Sequence, residues 1–365
     1  VVEVARAAAR LSVLLLAALG CAREPARQLP AARPGGGLRA IDVHTHFGPD
    51  SADRAIEILS SHGIDVAINL SGMAPGDGLE EQLAAAARHP GRIIVFTSPR
   101  WSLVRAGPGY GAAMAEELAR AAALGARGLK ISKALGLAVR DDGGRLLAVD
   151  APELDALFER AGQLGMPVAI HTGDPIAFWR RPDANNERAA ELAAHPEWSL
   201  WGRQVPAWEE LQAALERRIA RHPGTTFIAV HFGNAPEQPE RVAGLLDRHQ
   251  NLYIDTAARI PEIGRHPAGA MRRLFIEHQD RILFGTDLGV GRELTLGSSG
   301  AEPPEAPEVE RFFAATWRYF ESEERGFAHP TPIQGDWTID GIHLPPAVLR
   351  KVYRDNAARL LHLPP

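Results

Sequence analysis

The sequence predicts an α/β fold of the (β/α)₈ TIM-barrel class, and three observations predict it. From residue 39 onward, short β-branched runs alternate with amphipathic stretches, eight times in order. No glycine-rich phosphate loop follows the first run. The nearest candidate, Gly107-Pro-Gly-Tyr-Gly111, lies after the third run and has the wrong spacing. Polar residues that can ligate a metal end runs one, four, five, six and eight. A closed barrel gathers those ends round one mouth, whereas an open sheet would spread them along a line.

The predicted strands are 40–46, 65–70, 92–97, 127–132, 167–172, 226–232, 251–256 and 282–287. Helical patterns fall near 52–62, 78–88, 111–124, 151–164, 207–221, 237–248 and 268–278, with a last one from Pro345 to Leu361. Some strands are apolar almost throughout, such as Phe227-Ile-Ala-Val230, as expected where helices bury both faces. Three connections, 97–110, 173–206 and 288–344, exceed simple turns. They are long loops after strands 3, 5 and 8, and in a barrel all three crowd the catalytic mouth. The last contains a Pro/Glu-rich stretch, Ala301 to Glu308, and an apolar-striped helix, Val309 to Phe320, expected to pack on the barrel rim.

The chain opens with a different kind of segment. Arg6 and Arg10 precede Leu11 to Gly20, an apolar run of signal-peptide length that is too short to span a bilayer. Cys21, the only cysteine, follows at once. Ala18-Leu-Gly-Cys21 resembles a bacterial lipoprotein cleavage box, although that pattern prefers Leu in place of Ala18 and a small residue in place of Leu19. An ordinary secretory signal with an incidental cysteine is the alternative. Lipidation is favoured because a solitary thiol has no disulfide partner. The expected organisation is a lipoprotein-type signal peptide at 1–20, a flexible tether at 21–38 and a hydrolase barrel at 39–365. The expected location is outside the cytoplasm, periplasmic or anchored to the outer membrane. A net charge of −5 with no basic block argues against nucleic acid as a partner. The expected partner is a small-molecule substrate, with a membrane met only through the lipid anchor. Assembly into a homo-oligomer is left open.

The first strand ends in Ala40-Ile-Asp-Val-His-Thr-His46. Side chains two apart in a strand share a face, so His44 and His46 reach the same side, spaced to hold one metal ion. Lys130 ends the fourth strand, in a chain whose 40 basic residues include only three lysines. A primary amine can add carbon dioxide to become an anionic carbamate ligand; a guanidinium cannot do so readily. A rim ammonium pairing with an acid or a substrate is the equal alternative. His171 and His231 close apolar strands, and Asp287 ends Ile282-Leu-Phe-Gly-Thr-Asp287, where a carboxylate is costly unless paired or metal-bound. Imidazoles with hard oxygen ligands suit zinc, manganese or iron rather than calcium. The expected cofactor is one or two divalent ions, zinc foremost.

These residues resemble the amidohydrolase superfamily, in particular its amidohydrolase-related (family 2) branch. The resemblance lies in Asp42-Val-His-Thr-His46, His171-Thr-Gly173, His231-Phe-Gly-Asn234, Phe284-Gly-Thr-Asp287 and the closing Asn356-Ala-Ala-Arg-Leu-Leu361. It implies a (β/α)₈ barrel with one or two divalent metals, usually zinc. It implies His44, His46, His171 and Asp287 as shared metal ligands. His231 would be a second-metal ligand or the group that polarises substrate, and Lys130 the carbamylated bridge of two-metal members. The implied chemistry is hydrolysis of an amide, lactone or ester, with Asp287 as general acid–base and His231 stabilising the developing oxyanion. Two alternatives accompany it: metal-dependent non-oxidative decarboxylation of an aromatic or unsaturated acid, and a non-catalytic ligand-binding lipoprotein.

The long loops carry Trp101, Arg105, Trp179, Arg180, Arg181, Arg188, Trp201 and Arg203. Guanidinium forks grip carboxylates and indoles offer stacking faces. Trp179 and Arg180 are therefore the expected substrate contacts, for an acidic, partly planar or sugar-like molecule. Surface placement accounts for most of the other arginines.

Overall fold

A computed structural model describes residues 37–300 and 302–363. The segments expected to be a signal peptide (1–20), a lipidation site (Cys21) and a tether (to residue 36) lie outside the described residues. Among the described residues, no helix is long and apolar enough to cross a membrane.

All eight predicted strands form: β1 (Ala40–Phe47), β2 (Ile64–Asn69), β3 (Ile93–Thr97), β4 (Gly128–Ile131), β5 (Val168–Ile170), β6 (Phe227–Ala229), β7 (Leu252–Asp255) and β8 (Ile282–Leu283). Each pairs in parallel with the next, and helices return the chain between them. Beyond β8 the chain runs past β1 and pairs with it as β9 (Leu288–Val290), which a short antiparallel β10 (Leu294–Leu296) covers. Closure is completed between them, where Val43 N–H donates to Phe284 O at 3.0 Å and Asp287 N–H to His44 O at 2.9 Å. The curled sheet is thus a closed barrel whose eighth stave is interrupted at Phe284–Asp287.

The strands are apolar because both their faces are covered. Outward side chains such as Val168, Phe227 and Ile254 join the main core under the helices. Inward ones such as Ile41, Val43, Ile68, Ile94 and Ile228 form a second cluster, closed by Ala357 and Ala358 of the last helix, Asn356–Leu360, and by Leu361 just past it. Asn356 in the closing motif holds that helix in place, its amide donating to Gln279 O at 2.7 Å and Ile282 O at 2.9 Å.

The excursion 288–344 carries β9 and β10, the helix Ala306–Glu321, and a small antiparallel pair, β11 (Phe327–Ala328) with β12 (Thr338–Ile339). The expected helix packs against the barrel wall rather than the rim. Trp317 stacks on Phe284 with ring centroids 4.9 Å apart, and Phe320 and Tyr353 meet the same ring edge-on. One long connection was not expected. Between β4 and the helix Asp155–Gln163, the chain makes a turn at Ala134–Leu137 and a bridge from Arg140 to Leu146. Its polar, glycine-containing stretch Arg140 to Arg145 has neither period, so pattern reading passes over it.

Candidate metal centre

β1 delivers His44 and His46 to the same mouth, as the alternation of a strand requires. Their rings stand 5.2 Å apart, centroid to centroid. His44 is fully buried, and its Nδ1 lies 2.8 Å from Asp255 Oδ2. His46 Nδ1 lies 2.9 Å from Ser71 Oγ, just past β2. Their Nε2 atoms lie 3.4 and 3.5 Å from one oxygen, Asp287 Oδ1.

His231 was expected as the end of a strand, but β6 stops at Ala229. Residues 230–233 make a tight turn in which His231 and Phe232 take left-handed backbone, with φ of 57° and 56°. Non-glycine residues pay for that conformation, by roughly 1 kcal/mol or more each, and it persists only where the surroundings impose it. Here the Asp255 carboxylate accepts the His231 N–H at 2.7 Å, and Asn234 donates to Thr172 O at 2.7 Å. The turn aims His231 inward, with Nδ1 on the Ala257 carbonyl at 3.0 Å. A carbonyl can only accept, so Nδ1 carries the proton and Nε2 keeps its lone pair.

His171 sits one residue beyond β5, its N–H on Ile131 O at 2.9 Å. Its ring lies 4.4 Å from that of His231, which lies 4.6 Å from that of His44. Asp287 belongs to the interruption between β8 and β9 and also has left-handed backbone, φ 64°. Burial raises its carboxyl to about 6, against the opposing pull of Lys130 and Arg259. Lys130 on β4 is buried, and burial pushes its ammonium down to about 8, partly offset by the Asp255 and Asp287 charges. Burial, followed for His44 by the Lys130 charge and for His171 by His231, holds both imidazoles well below their usual range. They are neutral near pH 7, the form that ligates a metal.

One ligand atom each from His44, His231 and Asp287 fall within 4.8 Å of one another, a span that a single divalent ion can bridge. His46 borders this trio through Asp287, and His171 through the His231 ring. The buried Nε2 atoms of His44 and His171 and the Nζ of Lys130 have no hydrogen-bond partner among the described residues. Buried polar atoms are rarely left so, and the two imidazole lone pairs fit a cation beside them, which the Lys130 ammonium by itself does not. The residues present therefore fit a divalent ion.

Two anchoring carboxylates escaped the sequence reading. Asp255, at the end of β7, holds the His44 ring and accepts the backbone N–H of His231 and of Ala257. Asp42 accepts from the N–H groups of His44 and Thr286, at 3.0 and 3.1 Å, and from the Thr286 hydroxyl, tying β1 to the interrupted eighth stave. Burial pushes both acids up to about 7. The signal for Asp255 was present: Leu-Tyr-Ile-Asp255 ends a strand in a carboxylate, as Asp287 does.

The expected substrate contacts lie in the loop after β5. Trp179 is half-buried against the core, and its indole N–H donates to Pro206 O at 2.9 Å, closing that loop on itself. Arg180 is exposed. Arg188 is fully buried and ion-paired to Glu191 at 2.6 Å and to Glu262, so it braces the loop. Lys133 leaves the centre and pairs with Asp174 at 2.7 Å.

The sequence profile of the family described as Amidohydrolase matches residues 41–363, and the chain belongs to that family. Among solved structures, it is similar to a 2,6-dihydroxybenzoate decarboxylase complexed with 2,6-dihydroxybenzoate, at 16% identity and TM-score 0.52, over 89% of this chain and 100% of the other. A Staphylococcus aureus protein described as an amidohydrolase gives the same 16% identity, TM-score of 0.52 and coverage of 89% and 100%. Likeness at this identity establishes the shared fold. No curated protein matches the chain.

Proposed function

We propose that the protein is a metal-dependent hydrolase acting on an amide, lactone or ester bond of a small, acidic molecule. The carrying observation is the convergence of His44, His231 and Asp287, with each histidine's outer nitrogen held by a fixed partner. His44, His46, His171, His231 and Asp287 would hold the ion, and neutral imidazoles with a carboxylate favour zinc, with manganese or iron as substitutes. A bound divalent ion supplies Lewis acidity and makes water a nucleophile near neutral pH. Asp287, a carboxylate at the edge of the ion site, would take the proton from the attacking water and return it to the leaving group. Asp255 keeps His44 in the tautomer whose Nε2 faces the centre. Lys130 brings its unpartnered Nζ to the same place, either as an ammonium facing substrate anions or as a carbamate ligand.

Decarboxylation is the second reading. It draws on the shared fold with the dihydroxybenzoate decarboxylase, since a divalent ion beside a carboxyl group also suits proton delivery to carbon. One experiment separates the two. Zinc-loaded protein is incubated with candidate esters, lactones, amides and aromatic acids in ¹⁸O-labelled water. Incorporation of label into product supports hydrolysis, whereas carbon dioxide release without incorporation replaces it with decarboxylation. Asp287→Asn is expected to lower turnover by about 10²-fold or more, as loss of a general acid–base does. Unchanged turnover in that variant contradicts the assignment.

A further inference from the structure

The histidines of the candidate centre are supported at their outer nitrogens in different ways. His44 and His231 lie in the interior, against the Asp255 carboxylate and the Ala257 carbonyl. His46 is partly exposed, and its Nδ1 meets the Ser71 hydroxyl at 2.9 Å. A hydroxyl rotates and both donates and accepts, so on a mobile loop it would be a loose support. Ser71 is firmly seated, because two buried amides hold the backbone that carries it.

β1 and β2 pair as far as Thr45 and Asn69. Past that rung the Asn69 side chain takes over. Its Oδ1 accepts from the N–H of Phe47 at 3.3 Å and of Ser71 at 3.1 Å. Its Nδ2 donates to Phe47 O at 2.9 Å and to Gln82 Oε1 at 3.0 Å. Gln82, on the helix Leu79–Ala87, donates from Nε2 to Phe47 O at 2.9 Å and to Ser71 O at 3.2 Å. Asn69 thus makes all four bonds open to an amide, and neither group can be turned over without setting like against like. Satisfied buried networks of this kind are stiff. This one grips both sides of a ligand, since Phe47 follows His46 in the chain and Ser71 faces its ring. The next residue, Gly72, donates its N–H to Phe96 O at 3.1 Å and leaves no room for a Cβ there, so the turn is also seated on β3.

We infer that Asn69 and Gln82 are positioning residues of the metal centre, acting on the ion through Ser71 and His46. The inference rests on the metal-dependent reading of the same mouth. Held in place, the Ser71 oxygen accepts the Nδ1 proton of His46 and leaves the Nε2 lone pair to the ion. That support counts here because His46 Nε2 also lies 3.5 Å from Asp287 Oδ1, a carboxylate that would draw the proton to the wrong nitrogen.

The test is a double-mutant cycle. Zinc affinity is measured by competition titration for wild type, Ser71→Ala, Gln82→Met and the double variant, alongside the denaturation midpoint of each zinc-free protein. Ser71→Ala is expected to lose about 10- to 100-fold in affinity with little change in midpoint. Gln82→Met roughly conserves volume and is expected to lose roughly 2- to 10-fold, the worth of a neutral hydrogen bond. In the double variant the Gln82→Met loss should vanish, because its route to the ion has gone. Amides that merely stabilise the fold would lower the midpoint and leave affinity alone, or lower affinity by the same factor in both backgrounds; either result overturns the inference. Wild-type affinity in Ser71→Ala overturns it as well. Should Gln82→Met fail to fold, Gln82→Glu, which keeps the shape and removes the donor, takes its place in the cycle. Wild type that binds no zinc sinks the metal reading itself, whereas zinc held equally well by wild type and all variants sinks this inference alone.

Discussion

Asp255 carries more of the site than any ligand does, because one carboxylate orients His44 and fixes the turn that presents His231. Asp255→Asn keeps the shape but places an amide where the His44 ring needs an acceptor. The expected result is a 10- to 100-fold loss of zinc affinity by competition titration, the usual cost of disturbing a ligand's outer partner. Wild-type affinity in that variant would mean the hydrogen bond is incidental. The Asp287 carboxyl sets the pH dependence. It is raised to about 6 by burial in the metal-free protein, and only its ionised form ligates. As pH rises through 6 the proton leaves and the ligand forms, so zinc affinity should rise with pH and level off above about 7. Below 6 it should fall by about tenfold per pH unit for each proton displaced. Titrations at pH 5, 6, 7 and 8 check the sign, and a flat profile would remove Asp287 from the ligand set.

At the scale of elements, the ends of the staves matter more than their lengths. Strands β5, β6 and β8 are only two or three residues long, yet β6 and β8 are followed within four residues by left-handed backbone, at His231 and Asp287, that turns a side chain into the mouth. The histidine pair was legible because strand alternation fixes the direction of residues two apart. His231 and Asp287 were legible as residue types at strand ends, but not in their left-handed backbone, which tertiary hydrogen bonds impose. Asp255 went unread because its worth lies in what it holds rather than in what it would ligate. Arg188 was counted among mouth arginines, and burial against two acids, invisible in sequence, makes it a brace between the loop after β5 and the helix Ile260–Gly264 after β7. Arg188→Ala would leave Glu191 and Glu262 buried without their cation. The expected cost is about 3–5 kcal/mol, read as a lower denaturation midpoint. A change under about 1 kcal/mol would show the brace to be weak.

For the whole molecule, the alternation of strands and helices was enough to give the barrel, since eight buried staves admit few other closures. The closure itself, through Phe284–Asp287 onto β1, could not be read from pattern, because those residues make barrel hydrogen bonds without regular strand geometry. That same interruption carries Asp287, so the seam of the barrel and the candidate metal centre coincide. The central claim is that this seam and the ends of β1, β5 and β6 together hold a divalent ion. The most direct test is calorimetric titration of zinc into metal-free wild type and His44→Ala. The account predicts one or two tightly bound ions per wild-type chain, with at least one lost or weakened by orders of magnitude in the variant. No binding by wild type, or identical stoichiometry and affinity in both proteins, would contradict it.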